Sequence, residues 1–310
     1  MGIFARKKKD PFARGCIAFV GEILASRCEV GQLLLVWDEA SRARHGEEIV
    51  ESLSGAGFAL LTFTLDPASD PGLLAESIAN SKTQIVFGFG DAELWRSVER
   101  GVEGQAVHFA WMPTTFRAGL RVPPYGARIP DSFFCDADLF LSESEEAYQS
   151  AIPYAVEMGL TFDKWFFDTM YSSFNPAPVV RRVVDFWVHL AKAEQKGAST
   201  LRKRRAVLAD VVKALDETLT DAESLAIALV WEARIARGIG ASRENYLDDL
   251  VGMFSFWGFP LNIACTAEEL LAALADKVDE EGQIVLYLPR KRGECAPYAL
   301  TPQNIVTLLG

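Results

Sequence analysis

The side chains that most often carry chemistry are scarce in this chain. It holds three histidines, His45, His108 and His189, and no two of them are close in sequence. Imidazole is the commonest metal ligand and general base near neutral pH, so that scarcity excludes much metal and acid–base chemistry. Five cysteines, Cys16, Cys28, Cys135, Cys265 and Cys295, lie far apart and form no C-x-x-C pair. They read as small buried hydrophobes rather than a zinc knuckle or redox dithiol. No Gly-x-Ser-x-Gly elbow and no Walker loop occur. What is left is a set of fragments. Gly88-Phe89-Gly90 follows an apolar run and opens a helix, a place where backbone amides can cradle phosphate. Asp91 and Glu93 put negative charge at that helix start, which steadies the helix and repels an anion. Asp38 ends another apolar run, where a carboxylate either meets a ribose or caps the next helix. Thr114 and Thr115 follow Pro113 and satisfy local backbone groups or a ligand. Arg121 and Arg128 form ion pairs with nearby acids or, alternatively, an anion site.

The elements that must position these residues alternate in the first half. Gln32–Trp37 is a short continuous apolar run, the pattern of a strand buried on both faces. A helix is predicted from about Ser41 to Leu53, then a strand over Phe58–Thr64. A turn at Pro67–Gly72 leads to a helix near Leu73–Asn80. Thr83–Phe87 and Ala106–Met112 are further strands, with a helix over Asp91–Glu99 between them. This β-α rhythm predicts a Rossmann-like parallel sheet with helices on its faces. After about residue 140 the spacing turns helical: Ser142–Gly159, Phe162–Tyr171, Val179–Lys196, Ala206–Glu217, a helix capped by Thr220-x-x-Glu223, and Arg243–Trp257 before Gly258. Thr266-x-x-Glu269 caps another, Gln283–Leu288 is one late strand, and Thr301-Pro302 opens a terminal helix. The expected fold is an α/β Rossmann-like domain over 1–140 followed by a mainly α-helical domain over 141–310.

Composition bounds what such a molecule can do. Half of the 310 residues are hydrophobic, enough for a folded core. The formal net charge of −11 argues against a general nucleic-acid binder. No apolar run reaches the roughly 18 residues of a membrane span, and no signal-peptide cleavage pattern is readable, so the cytoplasm is expected. The basic stretch Arg6–Lys9 reads as a solvated tail, and Leu201–Arg205 as a solvated helix start or a docking patch for an acidic partner. The helical half is rich in large apolar residues, among them Trp165, Trp187, Trp231, Phe254, Phe256 and Trp257. Most must be core; an exposed remainder would mark contact with a protein partner.

In order along the chain, Asp38, Gly88-Phe89-Gly90, Pro113-Thr114-Thr115, the Pro130–Leu139 segment with Asp136, Arg205 with Leu208, Gly258-Phe259-Pro260 and Asp276-Lys277 follow the punctuation of a known family. The sequence resembles the dehydroquinate synthase-like sugar phosphate cyclases. More distantly it resembles the iron-containing alcohol dehydrogenases and glycerol-1-phosphate dehydrogenases. The resemblance implies NAD held by Asp38, Gly88, Gly90, Thr114 and Thr115, and a homodimer.

It also exposes departures. Where the family has a metal-binding glutamate and a catalytic lysine, this chain has Tyr154 and Glu157. The stretch that holds the family's Gly-His-Thr histidine is Ala209–Asp216, with none, and the last ligand histidine falls at Asp221. An aspartate becomes Arg121, and lysines become Ala127 and Val278. Zinc needs about three suitable protein ligands, and a phenol, an aliphatic side chain and an aspartate do not replace a carboxylate and two imidazoles. The expectation is a degenerate, catalytically inactive relative with no catalytic residues, no metal and no required cofactor. Arg121, Arg128, Tyr154, Glu157, Arg205 and Asp221 would line a vestigial cleft or anion site. The alternative is a divergent NAD-dependent cyclase or dehydrogenase acting on a phosphorylated polyol or sugar acid.

Overall fold

A computed structural model describes residues 10–66, 71–121, 128–161, 164, 167–168, 206–242 and 245–310. Their contacts divide into two compact units, with the chain crossing from the first to the second between Ser144 and Glu145.

The first unit carries a five-stranded sheet in the order β2-β1-β3-β4-β5. Its strands are β1 (Gln32–Trp37), β2 (Ala59–Thr64), β3 (Ile85–Gly90), β4 (His108–Pro113) and the two-residue β5 (Ser132–Phe133). All the pairings are parallel, with Leu34 opposite Leu61 on one side and Val86 on the other. β1 and β3 are central, which is why their sequences are apolar without alternation. A short 3₁₀ turn at Cys16–Phe19 leads into α1 (Val20–Ala25); α2 (Glu39–Gly55), α3 (Pro71–Ser81) and α4 (Ala92–Gly101) are the long crossover helices. One-turn helices α5 (Phe116–Gly119) and α6 (Ala137–Phe140) follow β4 and β5. The aromatic core includes Trp95 edge-on to Trp111 at 4.7 Å between ring centroids and Phe87 tilted against Phe134 at 5.7 Å.

The second unit begins with α7 (Glu145–Thr161) and continues with α8 (Val207–Leu215), α9 (Asp221–Gly238), α10 (Tyr246–Phe256), α11 (Ala267–Ala275), the hairpin β6 (Ile284–Lys291) and β7 (Glu294–Leu300), and α12 (Pro302–Leu309). α9 is buried almost all round, so its amphipathic pattern is weak. The predicted capping boxes at Thr220 and Thr266 both form. Leu208, Val211 and Val212 of α8 pack with Ile227, Trp231 and Ile235 of α9 and with Leu286 and Leu288 of β6. α10 stops where expected, with Gly258 at φ 78°, a conformation that suits glycine.

The Rossmann-like sheet followed by a mainly helical region is thus what the chain builds. One local expectation needs correction, and two further elements had not been anticipated. The late strand is one arm of an antiparallel hairpin, and the second arm, Glu294–Leu300, was hidden by Pro297. β5 was too short to read. Cys16–Leu24 is a helical turn and a helix. The turn residues 67–70, most of Phe162–Tyr171, all of Val179–Lys196 and the basic run 201–205 lie outside the described residues. Among the predicted core aromatics Trp231 and Phe254 are buried, while Phe256 is 73% exposed. Trp165 and Trp187 lie outside the description.

Candidate functional site

In this sheet the chain leaves β1 towards one edge and β3 towards the other, so the crevice at their carboxyl ends is the topological switch point, where open α/β sheets take ligands. Asp38 stands there, 7% exposed, as N-cap of α2. Its Oδ1 accepts the Ser41 N–H at 2.7 Å; its Oδ2 accepts the Ser41 hydroxyl at 2.8 Å and the Asp91 N–H at 3.1 Å. Ser41 Oγ also pairs with Thr114 Oγ1 at 2.8 Å, and the Thr114 N–H donates to the Gly90 carbonyl. Asp38, Thr114 and Gly90 are therefore brought together as expected, in a buried network whose described members all have partners.

The glycines meet side chains here. A Cβ on Gly90 would lie 2.4 Å from Asp38 Oδ2 and 2.3 Å from Leu94 Cδ2; one on Gly88 would lie 2.4 Å from the Trp111 ring. Phe89 between them is fully buried. The N-terminus of α4, where a pyrophosphate would sit, is taken by Asp91, whose Oδ1 accepts the N–H groups of Glu93 at 2.9 Å and Leu94 at 2.8 Å. Burial pushes the Asp91 carboxyl up, backbone hydrogen bonding opposes this, and nearby Asp38 adds to it. As built, the corner offers a pyrophosphate neither of those amides, and it presents two carboxylates where a dinucleotide places negative charge.

Thr115 caps α5, accepting the Ala118 N–H at 3.2 Å. The next N–H, that of Phe116, donates to Glu143 Oε1. Burial pushes the Glu143 carboxyl up to about 7, against the pull of that N–H and of Arg44. Sequence reasoning missed Glu143, whose partner is 27 residues away. His45 Nε2 lies 3.3 Å from Ser142 Oγ, and His108 Nε2 lies 3.0 Å from Ser132 Oγ. Asp136 is fully buried and accepts three backbone N–H groups, from Gly15, Ile17 and Asp138. That makes it a clasp on the start of the described chain.

Arg121 and Arg128, paired in sequence reasoning, have different partners. Arg128 donates to the carbonyls of Gln105 and Val107, just before β4 begins, and to Asp131 at 2.7 Å. Arg121 follows α5, and its contact is an ion pair of 3.9 Å with Glu99 of α4.

In the second unit, Tyr154 follows Pro153 in the middle of α7 and is half-buried, as is Glu157, whose backbone carbonyl accepts the Thr161 hydroxyl. Asp221 is the exposed first residue of α9. The segment that would supply a histidine, α8, turns Val211 and Val212 into the core. Among the described residues no three His, Cys, Asp or Glu side chains gather closely enough to hold a metal. A phenol, aliphatic side chains and a solvent-facing carboxylate do not fit a zinc ion. Arg205 lies outside the described residues. No described helix is long and apolar enough to cross a membrane.

No protein-family model matches the chain. Its sequence is 21% identical to the 3-dehydroquinate synthase of Alkaliphilus metalliredigens, across 96% of this chain and 93% of that one. In structure it is similar to the 2-epi-5-epi-valiolone synthase of Streptomyces hygroscopicus subsp. jinggangensis, solved with NAD+ and Zn2+ bound. There the TM-score is 0.73 at 18% identity, covering 100% of this chain and 98% of that one. A 2-deoxy-scyllo-inosose synthase gives a TM-score of 0.71 at 13% identity, over 96% and 94% of the two chains. NADH-dependent butanol dehydrogenase A of Thermotoga maritima gives 0.64 at 14% identity, over the same shares. The chain therefore has the fold of the dehydroquinate synthase-like proteins, and the resemblance to that family read from its motifs holds along its length.

Proposed function

We propose that this chain is a catalytically inactive dehydroquinate synthase-like protein, acting in the cytoplasm as a homodimer in a binding, assembly or regulatory role. Domains of 1–140 and 141–310 go with that reading. The observation that carries it is the closed corner of the sheet. Asp91 already occupies the amides of Glu93 and Leu94, and Asp38 lies against Gly90 with its carboxylate saturated. A pyrophosphate would have to displace the first and repel the second, losing hydrogen bonds that are charge-assisted. The residues at the metal positions reinforce the reading, because Tyr154 and Asp221, with no histidine in Ala209–Asp216, do not make a zinc site.

Calorimetric titration of the full chain with NAD+ tests it directly. The expected result is no saturable heat up to millimolar cofactor and no stoichiometric zinc by metal analysis. Saturable NAD+ binding together with cyclisation of a phosphorylated seven-carbon substrate would overturn it. A second reading, a divergent NAD-dependent cyclase or dehydrogenase acting on a phosphorylated polyol or sugar acid, draws on one observation. The similarity to 3-dehydroquinate synthase covers nearly both chains, so no large part of the scaffold has been lost. On that reading Asp38, Gly88, Gly90, Thr114 and Thr115 hold NAD after Asp91 moves aside, and the same titration decides.

A further inference from the structure

The five-stranded sheet ends differently on its two sides. At one edge β5 is two residues long, and both are buried. At the other edge β2 runs over six residues, Ala59–Thr64, and none of them is buried. An edge strand leaves a row of N–H and C=O groups open, and proteins blunt such edges with short strands, charge, proline or a bulge. β5 is short. β2 has none of these devices: it reads Ala-Leu-Leu-Thr-Phe-Thr, and its register against β1 is unbroken from Gln32 opposite Ala59 to Trp37 opposite Thr64.

The direction of the open groups follows from the ladder. The N–H groups of Ala59 and Leu65 donate inward, to the carbonyls of Gly31 and Trp37 on the β1 side. Backbone groups alternate sides along a strand, so Leu60, Thr62 and Thr64 turn theirs outward. Among the described residues no backbone group pairs with them. The surrounding stretch Ser52–Leu65 carries no ionisable side chain, in a chain with a net charge of −11. Two copies of such a chain repel each other through their net charge, and this edge lets them meet without setting carboxylate against carboxylate.

We propose that the β2 edge is the seam between two copies of this chain, whose sheets join edge to edge about a two-fold axis at Thr62. The proposal rests on the homodimer of the functional reading above and names its interface. A two-fold axis brings the same patch of both copies together and runs the two edge strands antiparallel. Thr62 then faces Thr62 of the second copy, and Leu60 faces its Thr64, each as a pair that exchanges both backbone hydrogen bonds. Between them, in the closer pairs without backbone bonds, Leu61 lies beside Phe63 of the second copy. Leu61 is 38% exposed and Phe63 half-buried, so each has apolar surface to cover. Apolar and Thr–Thr cross-strand pairs are of the kind that stabilise antiparallel ladders. One register therefore satisfies the outward backbone groups and pairs the apolar side chains at once. That self-complementarity favours a second copy over a strand of another protein.

The test is sedimentation of the full chain over a concentration series. The expected result is a dimer whose dissociation constant rises at least about tenfold in Leu61→Lys, which sets a charge into the seam at an exposed position. Leu141→Lys, at an exposed leucine just past α6 and beyond β5, is the control and should dimerise as the parent does. Thr62→Cys gives a second measurement that does not depend on affinity. The Cα atoms of a hydrogen-bonded antiparallel pair lie about 5.5 Å apart, within reach of a disulfide, so mild oxidation should yield a covalent dimer that the parent does not form. If Leu61→Lys does not fold by circular dichroism, the cross-link decides alone. A parent dimer that Leu61→Lys leaves intact, or that Thr62→Cys does not cross-link, overturns the seam and leaves the homodimer standing. A parent that is monomeric at every concentration overturns the seam and the homodimer together, while the question of catalysis stays with the NAD+ titration.

Discussion

At the carboxyl ends of β1 and β3, Asp38 spends its carboxylate on Ser41 and Asp91, Ser41 reaches Thr114, and Asp91 closes the start of α4. Just past α5, Arg121 is also largely hidden, at 19% exposure, and meets Glu99 of α4 in a long ion pair of 3.9 Å. Both regions bury charge in one unit, and both lie near positions where the family resemblance implies ligand contact. The difference is that the first closes on itself through short hydrogen bonds while the second holds its charge in a long ion pair. A buried charge that is saturated from within holds the fold together; one that is left short of donors or acceptors costs stability until something else arrives. On this view the sheet corner is scaffold, and the Arg121–Glu99 pair is the weaker of the two devices.

The most damaging way to break the first region is Gly90→Ala. The added methyl would meet Leu94 and Asp38 at 2.3 and 2.4 Å, both held in the core, so relief requires moving α4 or the Asp38 network. We expect a loss of about 3 kcal/mol in urea unfolding, the upper end of overpacking effects. A loss below about 1 kcal/mol would mean that the corner has slack and could admit a ligand. Asp38→Ala comes next. It removes an N-cap, strands the Asp91 N–H and leaves the Ser41 hydroxyl only its Thr114 partner, which together should cost about 2 kcal/mol in the same measurement.

How much of this could be read beforehand depends on where the deciding neighbours come from. β1, β3 and β4 were legible because a strand buried on both faces needs a run of apolar residues, and each run is contiguous. The capping boxes at Thr220 and Thr266 were legible because donor and acceptor are three residues apart. Asp38, Gly88 and Gly90 were legible as positions but not as roles. What makes Gly88 necessary is Trp111, from the next strand, and what makes Gly90 necessary is Asp38, from another. Glu143 was illegible for the same reason, and so was the pairing of Arg121 with Glu99 rather than with anything near Arg128. β7 failed for a different cause. Pro297 inside Glu294–Leu300 argues against a strand in general, but a two-stranded hairpin has only edges, where proline is tolerated.

Glu143 gives the comparison a pH axis. Its folded-state pKa of about 7 stands above the ordinary glutamate value near 4.3. Between those values the folded chain holds a proton that the unfolded chain releases, so stability falls as pH rises through that window. The groups facing it are the Phe116 N–H and Arg44, which limit the penalty without removing it. Glu143→Gln keeps an acceptor for Phe116 and cannot ionise. Its unfolding free energy should therefore decline less than that of the parent between pH 5 and pH 8, by on the order of 1–2 kcal/mol after allowance for partial solvent access. Identical pH profiles for the two proteins would show that the Glu143 carboxyl is not held up by burial.

The smallest effect is the one that separates the two regions most cleanly. In a buffer free of oxyanions, Arg121→Gln should change stability by less than about 1 kcal/mol, since a 3.9 Å pair with Glu99 recovers little of what burying the guanidinium costs. The Asp38→Ala variant should show the larger loss in the same buffer, because its defect lies in the scaffold. If Arg121→Gln instead cost as much as Asp38→Ala, Arg121 would belong with Asp38 as a structural charge, and the contrast between the two regions would dissolve.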